Sequence, residues 1–345
     1  MDGGRPGAPA PVRVDLFLLA GQFPGTGHGQ ALRDALSYGV AAERAGFDGV
    51  WIAEHHFLSY GVCPSAPAFA AHLAGLTSRV RVGTAACILP ARHPVALAEE
   101  AVLLGELSGG RLDLGVARGG PWVDLEVFGT GLARYADGFA ESLDLLLAWL
   151  SGAPTVGADG RHFRFRPVPV VPLPRRRTPV WVAATTPPTV DLAAARGLPL
   201  LLGMHADVAE KRRLLDRYAA TAAAHGHDPA AAPHAAAHLC HLDRTPARAR
   251  AALRESMPGW LASTARYVRI DGSAGPDRDP RQYLEHLLDI HPVGPPGLCV
   301  ERLAAAVAAT GIRRLLLMVE GTGCADRTRD TIARLGAEVL PALRG

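Results

Sequence analysis

VRVGTAACILPARHPVALAEEAVLLGELSGGRLDLGVARGG, residues 80–120, holds a complete strand–helix–strand unit. Val80–Ala85 and Leu112–Val116 are short apolar runs, and Pro94–Leu107 between them has helical length and period. Continuously apolar strands suit a parallel sheet covered on both faces, and parallel neighbours need a crossover, usually a helix. The unit recurs in both directions. Strand-like runs stand at Val12–Leu19, Gly49–Ala53, Val180–Ala183, Leu200–Leu202, Ala235–Cys240 and Leu315–Val319. Helical stretches separate them at Gln30–Ala45, Pro67–Thr77, Tyr135–Leu150, Pro188–Arg196, Asp207–Ala224, Pro246–Leu261 and Leu298–Thr310, and Thr328–Leu343 closes the chain.

Eight such units in 345 residues predict an α/β fold of the (β/α)₈ TIM-barrel type. An open doubly wound sheet is the alternative, but the first strand-to-helix turn, AGQFPGTGHG (20–29), lacks G-x-G-x-x-G. Two segments exceed a minimal barrel. The proline-rich stretch 152–178 reads as a loop or small hairpin packed outside. Arg266–Pro296, rich in Gly, Pro and Asp, reads as a lid-like insertion after the seventh strand–helix unit. Residues 1–11 read as a flexible Gly/Pro arm, and 12–345 as a single domain.

Composition narrows the class. Apolar residues make up 48% and charged residues 20%, which suits a globular protein with a large core. The 36 basic and 33 acidic residues leave a net charge of +3. All but one of the basic residues are Arg, dispersed among acids without a basic stripe, which argues against a nucleic-acid partner. No apolar run approaches membrane-spanning length. Cys63, Cys87, Cys240, Cys299 and Cys324 are scattered without a CxxC, so they read as small buried hydrophobes in a reducing, cytoplasmic protein.

Barrels of this kind react at the C-terminal ends of their strands. Those ends gather Glu54-His55-His56-Phe57, Thr84-Ala85-Ala86, Ala117-Arg118-Gly119 and Ala184-Thr185-Thr186-Pro187. Adjacent His55 and His56 diverge on an extended segment and share a metal poorly, so no metal site is predicted. No G-x-S-x-G elbow supplies a nucleophile. A cofactor site remains. Thr185, Thr186 and Thr189 end a strand and open a helix, where free N–H groups, hydroxyls and the helix dipole suit a phosphate. Arg118 on the neighbouring strand adds the counter-charge. The bland reading is an N-cap beside a surface arginine.

The segments AGFDGVWIAEHHF (45–57), VRVGTAACILPARHP (80–94), LSGGRLDLGVARG (107–119), VWVAATTPPTVDLAAARGLPLLLG (180–203) and, across 290–321, IHPVGPPGLCVERL and ATGIRRLLLMVEG carry a resemblance. From about Val12 onward the sequence resembles the bacterial luciferase-like, flavin-dependent monooxygenases, above all luciferase α-type chains. The resemblance implies reduced FMN at the barrel mouth, with Arg118, Thr186 and Thr189 holding its phosphate. It implies a non-prolyl cis peptide at Ala85-Ala86 beside the isoalloxazine, and His55 as the catalytic acid or base, exchanging a proton near neutral pH. Glu54 and His56 would serve structure or a dimer contact. The implied chemistry is oxygenation by dioxygen through a flavin hydroperoxide held in a protected cavity.

Further implications are a separate flavin reductase as donor and a homodimer through the helices Pro67–Thr77 and Pro94–Leu107, with contacts near His56, Leu73 and Leu97. The sequence also departs from the luciferases. Their reactive cysteine is Ala117 here, their acidic residue is Thr185, and the segment after the seventh unit is shorter. A long-chain aldehyde substrate therefore does not follow, and an aromatic or polyketide-like metabolite is expected. A deazaflavin-dependent oxidoreductase of the same fold, or a non-catalytic flavin-binding subunit, stays as an alternative.

Overall fold

A computed structural model describes residues 11–273 and 279–344. Eight parallel strands form its centre: β1 (Arg13–Leu18), β2 (Gly49–Ile52), β3 (Arg81–Thr84), β4 (Leu112–Ala117), β5 (Val180–Ala183), β6 (Leu200–Leu202), β7 (Ala235–Leu239) and β8 (Arg314–Met318). Their order is β3-β2-β1-β8-β7-β6-β5-β4, and the circle closes where Val82 of β3 faces Leu112 of β4. Closure excludes the open sheet. The helices are α1 (His28–Arg44), α2 (Ala66–Leu76), α3 (Pro94–Leu107), α4 (Gly138–Leu150), α5 (Pro187–Ala194), α6 (Val208–Ala224), α7 (Pro246–Leu261), α8 (Pro280–Ile290), α9 (Pro296–Thr310) and α10 (Ala325–Arg334).

The apolar strands divide their faces between two cores. Along β1, Val14, Leu16 and Leu18 point to the helices, while Phe17 points into the barrel with Trp51, Trp181, Leu201 and Leu316. The barrel floor is ionic. Arg314 of β8 donates from Nε to Asp15 of β1 (2.6 Å) and from Nη2 to Asp113 of β4 (2.6 Å). Asp113 also accepts from Nε of Arg81 on β3 at 2.9 Å, and Trp51 Nε1 donates to Asp15 at 2.7 Å. The Arg314 guanidinium sits 4.8 Å from the Trp51 ring centre. Charges withdrawn this far from water persist only when paired and hydrogen-bonded, as these are.

The stretch 152–178 forms an antiparallel hairpin, Thr155–Asp159 with Arg164–Pro169. The segment expected to be a lid-like insertion is half helix. Leu284, Leu287 and Leu288 of α8 are spaced to share one face and are buried against the barrel-side core, and Asp279 caps the helix. Further upstream, Trp122 and Arg269 face each other as a short bridge, so 266–271 is tied to the loop after β4. Residues 1–10 of the arm lie outside the described residues.

One expected contact surface needs correction. Leu73 and Leu97 are 1% exposed, packed between their own helices and the barrel, so neither is available to a second chain. The exposed leucines of α2 and α3 are Leu76, Leu103 and Leu107. Of the five free cysteines, four are buried and Cys324 is exposed. Among the described residues no helix is long and apolar enough to cross a membrane.

Candidate active site

A cavity of about 290 Å³ opens at the C-terminal ends of β2 to β5. Its walls are unusually small: Ala85 and Ala86 after β3, Ala117 ending β4, Ala183 ending β5, and Gly119. The Ala85–Ala86 peptide is cis, as the resemblance implied. Gly119 has φ +69, and a Cβ there would lie 2.8 Å from Ile88 Cγ2, so the chain leaving Arg118 needs glycine twice over. Such a wall lets a flat ring approach backbone, which side chains of ordinary size prevent.

His55 and His56 both line this cavity, in different company. The His55 backbone N–H donates to Cys63 O (3.0 Å), and its ring meets the Tyr60 ring edge-on at 5.3 Å. Burial drives its pKa down to about 4, opposed by Glu54 and reinforced by His56. Burial thus favours the neutral imidazole at His55. His56 lies 3.8 Å from the Glu54 carboxylate and packs edge-on against Phe128. Glu54 itself is a clamp: Oε2 accepts from Ala66 N (3.1 Å) at the start of α2, and Oε1 from Ile88 N (3.0 Å) after β3. Burial alone would raise its pKa, but His56, Arg92 and the two amides outweigh it and hold the group ionised.

Arg118, Thr185, Thr186 and Thr189 are not among the residues lining this cavity; Arg118 follows its wall residue Ala117, and the threonines follow Ala183 after the adjacent strand. The Arg118 guanidinium lies 4.6 Å from the Tyr135 ring centre and has no carboxylate partner among the described residues. Thr186 and Thr189 face each other with hydroxyls 3.1 Å apart, Thr189 buried, while Thr185 is exposed. The expected backbone cradle is missing. Pro187 and Pro188 open α5 without N–H groups, and the Thr189 N–H is spent on Thr186 O at 3.1 Å. The groups left there to meet an anion are the hydroxyls and Arg118.

Trp122, Asp124 and Tyr267 are among the cavity residues that escaped the sequence reading. Trp122 and Tyr267 stack at 4.5 Å and roof the cavity, held by Val123 N–H to Val268 O and Ile270 N–H to Pro121 O, both 2.9 Å. Asp124, also buried, carries a carboxyl raised by burial. The Gly-Gly-Pro-Trp run after β4 was a usable signal for an aromatic at the mouth. Its partner 145 residues away was not.

A family model described as luciferase-like monooxygenase matches residues 12–314. The chain belongs to that family. Its members bind flavin, and this luciferase-like chain is accordingly an oxidoreductase. It is 30% identical to the alkanal monooxygenase alpha chain of the Kryptophanaron alfredi symbiont, covering 95% of this chain and 97% of that one. Among solved structures, monooxygenase RslO1 from Streptomyces bottropensis superposes with a TM-score of 0.82 at 23% identity, covering 95% and 99%. The oxygenating constituent of 3,6-diketocamphane monooxygenase from Pseudomonas putida, in complex with FMN, gives 0.76 at 21%, covering 96% and 98%. An F420-dependent secondary alcohol dehydrogenase gives 0.78 at 18%, covering 97% and 100%. A flavin fits what this luciferase-like mouth presents: a small-residue wall for a planar ring, and, for a phosphate, the Arg118 guanidinium after β4 and the paired Thr186 and Thr189 hydroxyls after the adjacent β5.

Proposed function

We propose that this chain is the oxygenating component of a two-component monooxygenase. It takes reduced FMN from a separate flavin reductase and uses dioxygen to oxygenate a small aromatic or polyketide-like metabolite. The observation that carries the reading is Arg118, a cation with no carboxylate partner among the described residues, one residue beyond Ala117 of the cavity wall, with the Thr186–Thr189 hydroxyl pair following the neighbouring strand β5. Arg118, Thr186 and Thr189 hold the phosphate, with Thr185 at the outer rim. Ala85, Ala86, Ala117 and Ala183 accept the ring. Reduced FMN, when bound, supplies the electrons that activate dioxygen.

The protein's own residues then position and shield. Trp122 and Tyr267 roof the cavity and keep water from it, and His55 presents a neutral imidazole to the reacting side. Substitution of the luciferases' cysteine and acidic residue by Ala117 and Thr185 favours a substrate other than a long-chain aldehyde. We further propose a cytoplasmic homodimer, supported by the exposed Leu76, Leu103 and Leu107 on neighbouring helices.

Anaerobic titration with reduced FMN and with a reduced deazaflavin, followed by air, tests the reading. Tight binding of reduced FMN and dioxygen uptake are expected. The F420-dependent neighbour motivates the second reading, hydride transfer without dioxygen. Tight binding of the deazaflavin alone establishes that reading in place of the first.

A further inference from the structure

A second and larger cavity, about 930 Å³, opens on the opposite face of the barrel from the candidate active site. It lies at the N-terminal ends of the strands, with Arg13 starting β1, Pro179 preceding β5 and Arg314 starting β8. Leu215, Tyr218 and Ala219 of α6 and the loop 229–233 form its apolar side. That side is held in place. Asp228 accepts from Ala230 N at 2.9 Å and caps the turn Pro229–Ala231. Trp181 Nε1 donates to Pro233 O at 3.1 Å, and Leu200 N–H donates to His234 Nδ1 at 3.0 Å. Tyr218 meets the His234 ring edge-on at 4.4 Å. The loop therefore presents Ala230, Ala231 and Pro233, all exposed, in place of polar side chains.

The charged side is unbalanced. Five arginines and two aspartates line the cavity. Arg314 and Arg81 are committed to the ionic floor, and Arg212 pairs with Asp216 at 2.9 Å. Arg13 and Arg313 have no carboxylate partner among the described residues. Their backbones are joined, Arg13 N–H donating to Arg313 O at 2.7 Å, so two uncompensated cations leave adjoining positions. The Nε of Arg313 is buried and finds no acceptor among the described residues. Folded proteins satisfy such a donor, so its acceptor comes from outside them. The lower face of a barrel ordinarily serves stability. That role accounts for Arg81 and Arg314, which tie strands together, and not for two like charges that repel each other. An anion shared between them reverses the sign of that interaction.

We propose that this cavity is a second ligand site, for an organic anion with a carboxylate or phosphate head on an apolar body, and that Arg13 and Arg313 bind the head. A guanidinium fork suits either head. An apolar wall with a few polar groups at one side is the usual form of a small-molecule site. The cavity shares no lining residue with the one at the mouth, and the proposal does not rest on the flavin reading.

Calorimetry on the full chain tests it with four probes: 1-naphthoate, 1-naphthyl phosphate, the neutral 1-naphthalenemethanol and inorganic phosphate. At least one naphthyl anion should bind about tenfold tighter than both the neutral compound and inorganic phosphate, the factor a hydrogen bond to a charged group supplies. Which anion binds tells a carboxylate ligand from a phosphate ligand. Arg13→Gln and Arg313→Gln should each weaken that binding about tenfold, while Arg118→Ala leaves it unchanged. Hydrogen exchange in the parent locates the probe without any substitution. Exchange should slow across 229–234 and 310–314 and stay as it was across 117–123. Failure of both anions to bind overturns the proposal, and so does equal binding of the neutral compound or of inorganic phosphate. Parent-like affinity in both arginine variants overturns it as well, as does protection confined to 117–123, which places the probe at the mouth.

Discussion

At the scale of single residues, the site divides into groups that hold and groups that react. Arg118→Ala should weaken reduced-FMN binding by about 1.5–3 kcal/mol, the range for a hydrogen bond to a charged group. Thr186→Val should weaken it less, since Thr189 keeps the second hydroxyl, and unchanged affinity in both refutes the phosphate assignment. His55→Ala should remain folded and bind reduced FMN, while oxygenated product falls by about 10²–10⁴ and the dioxygen consumed appears as hydrogen peroxide. His56→Ala, which loses contacts to Glu54 and Phe128, should instead lower thermal stability; peroxide yield and melting temperature separate the two. The strand ends at which His55, Ala85, Ala86 and Ala117 stand were legible, and strand ends converge in a barrel, but only the resemblance singled out the alanines. The neutrality of His55 was not legible. It comes chiefly from burial, and the ring's neighbours include Tyr60, whose stacking partner Trp260 is remote in sequence.

Among elements, the strands read well for a simple reason. Parallel strands buried on both faces are apolar throughout, and all eight runs proved to be strands. α8 escaped because its three core leucines sit inside a segment dominated by Gly, Pro and Asp. The proline pair opening α5 was plain in the sequence, yet its meaning changes with function: good for starting a helix, poor for cradling an anion through N–H groups. Glu54 shows how one side chain joins elements, since it ties the end of β2 to the start of α2 and to the strand segment Cys87–Ile88. Glu54→Gln leaves one of those amides facing an NH₂ group. It should cost about 2–3 kcal/mol, measured as a lowered midpoint in chemical denaturation.

For the whole molecule, burial of histidines sets the response to acid. His55, His234 and His241 are depressed to about 4 and His291 to about 3, from an ordinary 6.5, in each case chiefly by burial. A depressed histidine means that the unfolded chain binds more protons, so stability is lost as pH falls from 6.5 through 4. Glu320 acts oppositely: burial raises it to about 7, so its contribution is lost as pH rises from 4.5 through 7. Four histidines outweigh one carboxyl, and denaturation midpoints should fall steeply between pH 6.5 and 4; a flat profile contradicts the burial. Sedimentation at micromolar concentration should give a dimer, and a monomer rules out the proposed association. The ionic floor bears on synthesis. Asp15 emerges from the ribosome 299 residues ahead of Arg314, and Asp113 emerges 201 ahead. Until the last strand is translated, Asp113 has only Arg81 and Asp15 only the Trp51 indole N–H of their final partners, and the nascent barrel stays open to water. The chain is therefore committed to waiting as an unclosed sheet for nearly the whole of its translation.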